Sequence, residues 1–390
     1  MHATTSLVLA GQQVDRCYNS IVPPVYQSAI FRFDDVDLPP EFDYTRSGNP
    51  TRDALESTLA DLEGGAGAVA LSTGMAAITT VLSLLDGDAH LICSHDCYGG
   101  TERLLCRLQD QGKLDVSFAD LSSPAALDAA IRPETRALWV ETPSNPLLRV
   151  TDLSAVAEVA DAHDLLFVVD NTFLSPLLQQ PFEHGADLVV YSTTKYINGH
   201  SDVVGGAIIA KTDSLAEEIQ LAANTLGTTA APFDSWLVLR GLKTLPLRLR
   251  QHEENAHAVV HALEAHSQVD RVFYPGLPDH PGHAIAARQQ RGFGGMVSFA
   301  LRGNVPAVKQ VLRSTEVFTL AESLGGVESL IEHPATMSHA SMRPAQRAAA
   351  GITENVIRLS VGVERTEDLV ADLEQALDAV PADASVAVPA

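Results

Sequence analysis

Between residues 68 and 210 the chain repeatedly sets a short, unbroken apolar run beside a segment of helical period, and this alternation decides the fold class. Ala68-Val69-Ala70-Leu71 leads through Ser72-Thr73-Gly74 into the helix-forming Met75-Ala76-Ala77-Ile78. Residues 151–163 place Leu153, Val156, Ala157 and Ala160 at three- and four-residue steps, the period of a helix facing a core. Leu165-Leu166-Phe167-Val168-Val169 follows at once as a buried strand ending at Asp170, and 137–140, 188–191 and 206–210 are further apolar runs. Strands that are apolar on both faces and alternate with helices form a mostly parallel central sheet, the α/β class. Residues 61–250 are expected to hold that domain.

The flanks read differently. Residues 1–60 contain Pro23-Pro24, Pro39-Pro40, Pro50 and an acidic cluster at 34–37, which predicts an extended N-terminal arm. Beyond about residue 250, helical segments alternate with strand candidates at 296–300 and 356–360, so 251–380 reads as a smaller α+β C-terminal domain. Residues 381–390 form a low-complexity tail, expected to be disordered.

Composition restricts the function. The chain has 390 residues, 46% of them hydrophobic, and a formal net charge of −23. A surface this acidic repels phosphate backbones and anionic lipid, so neither a nucleic acid nor a membrane is an expected partner. No apolar stretch approaches the roughly 20 residues of a spanning helix, and the N-terminus lacks the basic start of a signal peptide. Four cysteines in a chain of this length do not make a disulfide scaffold. A soluble, cytosolic, acidic globular protein fits these bounds.

Several motifs fail. There is no GxxxxGK[ST], and Gly65-Ala66-Gly67 reaches Ala70 where a dinucleotide fingerprint needs a third glycine. His252 and His257 lie five apart rather than four and are expected on a solvated helical face. Cys93 and Cys97 lack a second pair, so no metal site is expected.

What holds is a constellation around Lys195, which closes Tyr191-Ser192-Thr193-Thr194-Lys195 at the end of a buried run. Asp170 ends the preceding buried strand, and neighbouring parallel strands bring their C-terminal ends to one crevice. An amine and a carboxylate there are what pyridoxal 5'-phosphate requires: Lys195 for the Schiff base, Asp170 to keep the pyridine nitrogen protonated. Ser72-Thr73-Gly74-Met75 joins a strand to a helix, so the N–H groups of Gly74 and Met75 face an anion, with Ser192 and Thr194 as hydroxyl donors.

Longer segments then carry a resemblance: Asp43-Tyr-Thr-Arg-Ser-Gly-Asn-Pro-Thr-Arg52, Cys97-Tyr-Gly-Gly100, Glu141-Thr-Pro-Ser-Asn-Pro-Leu-Leu148, Asp170-Asn-Thr-Phe-Leu-Ser-Pro176, Thr194-Lys-Tyr-Ile-Asn-Gly-His-Ser-Asp202 and Phe318-Thr-Leu-Ala-Glu-Ser-Leu-Gly-Gly-Val-Glu-Ser-Leu330. From about residue 23 to about 377 the chain resembles the Cys/Met-metabolism family of pyridoxal-phosphate enzymes, its γ-synthase branch most of all. The resemblance implies a fold-type I, aminotransferase-like architecture. It implies Lys195 as Schiff-base lysine and proton shuttle, Tyr98 stacked on the cofactor ring and deprotonating the incoming amine, and Asp170 on the ring nitrogen. It assigns Gly74, Met75, Ser192 and Thr194 to the phosphate, with Tyr44 and Arg46 reaching the phosphate of a neighbouring subunit. The chain is then a homo-oligomer, a dimer with shared sites that pairs into a tetramer. Arg358, helped by Ser323 and Asn145, is implied to fork the substrate α-carboxylate.

The implied reaction is γ-replacement, in which O-succinylhomoserine or another O-activated homoserine and L-cysteine give L-cystathionine. Asp43, just before Tyr44, reads synthase-like, and Glu322 suits a distal ammonium. Arg103 is either a partner for a succinyl carboxylate or a solvated helical arginine. A γ-lyase cleaving cystathionine uses the same core residues, and a cofactor-binding regulatory protein with weak lyase activity is a further alternative.

Overall fold

The computed structural model describes residues 1–340, 342 and 344–381, so the expected tail lies, from 382 onward, outside the described residues. Twelve strands run through the described residues: β1 (Gly67–Leu71), β2 (His90–Ser94), β3 (Asp115–Ala119), β4 (Thr135–Glu141), β5 (Leu166–Asp170), β6 (Leu188–Tyr191), β7 (Gly206–Ala210), β8 (Val269–Phe273), β9 (Met296–Leu301), β10 (Thr319–Leu320), β11 (Leu330–Glu332) and β12 (Val356–Ser360). The chain forms two compact units.

The first unit comprises Met1–Asp86 and Leu166–Pro246. In it β5, β6, β7 and β1 pair in that order. β5 and β6 are parallel, with Asp170 opposite Val190. β7 runs antiparallel to both its neighbours. No helix separates Tyr191 from Gly206, and a strand reached without a crossover returns in the opposite direction. Every residue of β6 and β7 is buried, as a strand covered on both faces requires. The helix Gly74–Leu82 buries Ala77, Ile78 and Val81. One edge of this sheet thus collects the ends of β1, β5 and β6 and the start of β7, which are the positions next to Ser72, Asp170, Ser192 and Gly206.

The stretch read as an extended arm is only partly so. Ala3–Leu9 is helical, and a helix spans Pro50–Glu63. Proline breaks a helix in its interior but suits the first turn, whose N–H has no intrahelical acceptor, and Asn49 caps that turn by accepting from Thr51 N–H at 2.9 Å. Between the two helices the arm leaves Ile21, Ile30, Val36 and Leu38 exposed.

The second unit comprises Gly87–Leu165 and Leu247–Ala390. Here β4, β2 and β3 are parallel neighbours. A second sheet runs β10-β11-β12-β9-β8, antiparallel except between β10 and β11. Val297, Phe299, Ile357 and Leu359 from this sheet share a core with Val308 and Val311 of the helix Val305–Ser314 and Leu369 and Leu373 of Thr366–Asp378.

His252 and His257 do not share a solvated face. At 3.6 residues per turn a five-residue step separates them around the helix Leu245–Ala265. His257 is exposed, whereas His252 is buried with Nδ1 2.6 Å from the Val361 carbonyl oxygen. Burial pushes the His252 pKa down to about 4, so the ring is neutral near pH 7 and its Nδ1–H donates to that carbonyl.

Asn49 also ties the arm down, since its Nδ2 donates to the Tyr26 carbonyl at 2.9 Å and to Thr45 Oγ1 at 3.1 Å. Asn49→Ala therefore removes a cap and two further bonds, and is expected to destabilise the fold by about 2 kcal/mol. A lower urea midpoint at unchanged slope, with faster proteolysis before residue 49, is the expected result; an unchanged midpoint would show that this cap does not hold the arm.

Candidate active site

In the first unit the sheet edge assembles an anion cradle beside an acid and an amine. Thr73 Oγ1 caps the helix Gly74–Leu82 by accepting from Ala76 N–H at 2.8 Å. The N–H groups of Gly74 and Met75 belong to the first turn, where no intrahelical carbonyl can reach them. The backbones here are close enough to demand glycine. A Cβ on Gly206 would lie 2.2 Å from the Thr73 carbonyl oxygen, and one on Gly74 2.9 Å from Ser192 Cβ.

Asp170 is buried at the end of β5. Burial raises the pKa of its carboxyl, opposed by hydrogen bonds from Thr172, whose N–H reaches Oδ1 at 3.0 Å. A protonated ring nitrogen is the kind of partner that lets such a carboxylate stay ionised. Thr172 escaped the sequence reading, yet its Oγ1 also accepts from Ser192 N–H at 2.9 Å, so one short residue ties the acid to the strand end that leads to Lys195. An Asp-x-Thr step closing a buried strand is the available signal, because short polar side chains there bond to nearby backbone.

After β6 the chain turns tightly, Lys195 N–H donating to the Ser192 carbonyl at 3.2 Å and Gly199 N–H to that of Lys195 at 2.8 Å. Lys195 is half-buried. Thr194 Oγ1 donates to the Gly205 carbonyl at 3.2 Å and accepts from Gly205 N–H at 3.0 Å, so its hydroxyl braces the start of β7. An amine, a buried acid and a helix-start cradle fit pyridoxal 5'-phosphate. Asp43, Tyr44 and Arg46 lie on the exposed arm, with the Arg46 guanidinium 5.5 Å from the Tyr44 ring centre.

The second unit carries the groups expected to read the substrate. Arg358 on β12 is 3% exposed. Its Nη1 donates to Asn145 Oδ1 at 2.9 Å and its Nη2 to the Ser323 carbonyl at 2.7 Å. Ser323 has φ +95°, a conformation that costs a non-glycine residue on the order of 1–3 kcal/mol and here accompanies the carbonyl's contact with the guanidinium. Ser323 thus meets the guanidinium through its backbone carbonyl.

Glu141, another residue the sequence reading passed over, accepts from Tyr98 N–H at 2.7 Å with Oε2 and from Asn145 N–H at 3.2 Å with Oε1. One carboxylate thereby fixes the backbone of both. Tyr98 precedes the helix Gly99–Asp110 with its side chain 41% exposed. Arg103, on the same helix, and Glu322 are exposed. Cys93 and Cys97 are buried, and a hydrogen bond with Cys93, reinforced by burial, holds the Cys97 thiol far above its usual pKa.

Gly206→Ala should force Thr73 and the start of β7 apart. Pyridoxal 5'-phosphate added to the apoprotein is expected to bind at least about tenfold more weakly, the loss of one or two good hydrogen bonds. Gly87→Ala, with nothing within 4 Å of the added carbon, serves as control. Equal affinity in both variants would rule out the cradle.

Among known sequences, the family model described as Cys/Met metabolism PLP-dependent enzyme matches residues 4–378. The chain is 49% identical over 372 residues to a cystathionine gamma-synthase of Escherichia coli, covering 95% of this chain and 96% of that one. It is 47% identical over 374 residues to a cystathionine beta-lyase of Lactococcus lactis, covering 96% and 98%. A crystal structure of cystathionine gamma synthase from Xanthomonas oryzae, in complex with aminoacrylate and cysteine, superposes with TM-score 0.97 at 51% identity, covering 99% of this chain and 100% of that one. The fold is thus that of fold-type I pyridoxal-phosphate enzymes, and the chain belongs to the Cys/Met metabolism PLP-dependent enzyme family.

Proposed function

We propose that this protein is a γ-synthase, joining an O-activated L-homoserine, O-succinyl-L-homoserine first among them, to L-cysteine to give L-cystathionine. The observation that carries the substrate class is Arg358: a buried guanidinium held by Asn145 and the Ser323 carbonyl, with donors left over for an α-carboxylate. The likeness to relatives named as γ-synthases, with Asp43, Glu322 and the segment around Tyr98, supports the choice of reaction.

Bound pyridoxal phosphate supplies the electron sink that makes the Cα and Cβ protons acidic. In this reading Lys195 Nζ carries the cofactor and then moves protons between Cα and the side-chain carbons. Asp170 holds the ring nitrogen protonated, and Thr172 keeps that carboxylate in place. The Tyr98 hydroxyl takes the proton from the substrate ammonium. Gly74, Met75 and Ser192 hold the phosphate, with Thr194 bracing the turn. Arg358 orients the amino acid, Glu322 meets a distal ammonium, and Arg103 a succinyl carboxylate.

The arm supports a homodimer in which Tyr44 and Arg46 complete a second copy's site, because Ile21, Ile30, Val36 and Leu38 leave it an apolar surface in need of a cover. The cytoplasm is the proposed location: no helix among the described residues is long and apolar enough to cross a membrane, and no disulfide joins the four cysteines.

Incubation with O-succinyl-L-homoserine and L-cysteine, and separately with L-cystathionine, tests the reading by mass spectrometry. Rapid cystathionine formation in the first, with little keto acid in the second, is expected. Fast release of 2-oxobutanoate or pyruvate from cystathionine, with negligible condensation, would make the protein a γ- or β-lyase. A cofactor-loaded protein silent in both would point to a binding role. In whichever reaction proves active, Arg358→Lys should lower kcat/KM on the order of 10²-fold or more, since an ammonium cannot copy the planar fork.

A further inference from the structure

Arg358 stands beside a buried carboxylate that the proposed chemistry does not use. Glu332 Oε1 lies 3.0 Å from Arg358 Nη1, and the two side chains are 1% and 3% exposed. Strand pairing sets this contact, because Glu332 and Arg358 face each other across β11 and β12. The same oxygen of the acid receives a second donor. Ser338 Oγ donates to Glu332 Oε1 at 2.6 Å and lies 2.9 Å from His339 Nδ1. His339 Nε2 is 3.1 Å from the Asn145 carbonyl oxygen. Burial and Arg358 lower the pKa of the ring to about 4, so it is neutral at pH 7.

The hydrogens of the guanidinium can now be counted. It has five N–H donors in a rigid plane. The Nη1 end faces Asn145 Oδ1 and the Glu332 carboxylate, and one Nη2 hydrogen goes to the Ser323 carbonyl. Nε is buried and has no acceptor among the described residues. The hydrogens left are Nε–H and one on Nη2. Nε–H and the Nη2 hydrogen beside it share one edge of the guanidinium plane, spaced for the two oxygens of a single carboxylate.

We propose that Glu332 is a positioning residue: it holds the Nη1 end of Arg358 so that a substrate α-carboxylate is received only along the Nε/Nη2 edge, in one orientation. This inference rests on the reading that Arg358 takes the α-carboxylate, and the experiment separates the two.

In the holoenzyme, binding of unreactive L-2-aminobutanoate is compared with that of propylamine, the same ligand without the carboxylate, by titration of the cofactor absorbance. Their affinity ratio isolates recognition of the carboxylate, and a merely structural defect would weaken both ligands alike. Glu332→Ala and Glu332→Asp, which withdraws the carboxylate by one methylene, are expected to reduce the ratio about tenfold or more, in the range seen when one partner of a buried charge pair is removed. Glu332→Gln, which keeps an oxygen in place, should stay within about threefold of wild type. In turnover, Glu332→Asp should raise KM for the homoserine ester while kcat changes little.

A ratio that falls in Arg358→Ala but survives in Glu332→Asp would overturn the role of Glu332. A ratio unchanged in Arg358→Ala would overturn the reading of Arg358 itself. Should Glu332→Ala fail to fold, Glu332→Asp and Glu332→Gln still decide the matter.

Discussion

A guanidinium shut away from water must be answered by acceptors at fixed positions, and much of the second unit is arranged around that demand at Arg358. Strand pairing sets Glu332 opposite it, the segment after β4 presents Asn145, and Ser323 adopts φ +95° with its carbonyl 2.7 Å from Nη2. The demand propagates outward. Asn145 is held through its backbone by Glu141, which holds the Tyr98 backbone too, and Asp96 accepts from the neighbouring Ser144 at 2.5 Å and from Arg149 at 2.9 Å. Each link is a charge or a buried polar group whose omission would leave another unsatisfied. Such a network favours one arrangement over nearby ones more than it adds stability.

The first unit has the geometry for the opposite problem, that of receiving an anion. Instead of a cation it brings backbones together: Gly206 passes so close to Thr73 that no side chain fits, and a helix begins there with its first N–H groups directed outward. Asp170 is the costly element, because burial works against its ionisation and Thr172 compensates only in part. A carboxylate in that state gains most from a ligand that brings its own positive charge. In the proposed site, the same burial that penalises the acid would strengthen its attraction to a cationic ring nitrogen.

The sheet was legible because strands covered on both faces must be apolar throughout, and all seven runs between 68 and 210 and from 296 onward that read as strands are strands. Lys195 and Asp170 were legible for the same reason, polar residues standing where such runs stop. The direction of β7 was not, since it depends on the missing crossover helix and not on the run itself. Pro50 was misread because a proline that breaks a helix inside starts one at its edge. His252 was misread because its burial is decided by Val361, over a hundred residues away in the chain. Arg358 came only through the resemblance, and Glu332, Glu141 and Thr172 came from neither source. Their roles depend on pairings and backbone contacts that residue types at a given spacing do not encode.

That division also bears on what separates the reactions of this family. The groups that resemblance assigns to cofactor and α-carboxylate, Asp170 and Arg358, are buried and locked by neighbours. Those that bear on the remainder of the substrate, Arg103, Glu322 and Asp43, are exposed. A locked group contributes equally to every reaction that needs an electron sink and an anchored amino acid. On the proposed assignment, choice between adding a thiol and releasing a keto acid would fall to these exposed positions, where a change of one or two kcal/mol suffices to shift the ratio of rates tenfold. Identity to relatives named for synthesis and for cleavage is accordingly almost the same, because most of the chain is engaged in the part of the chemistry they share.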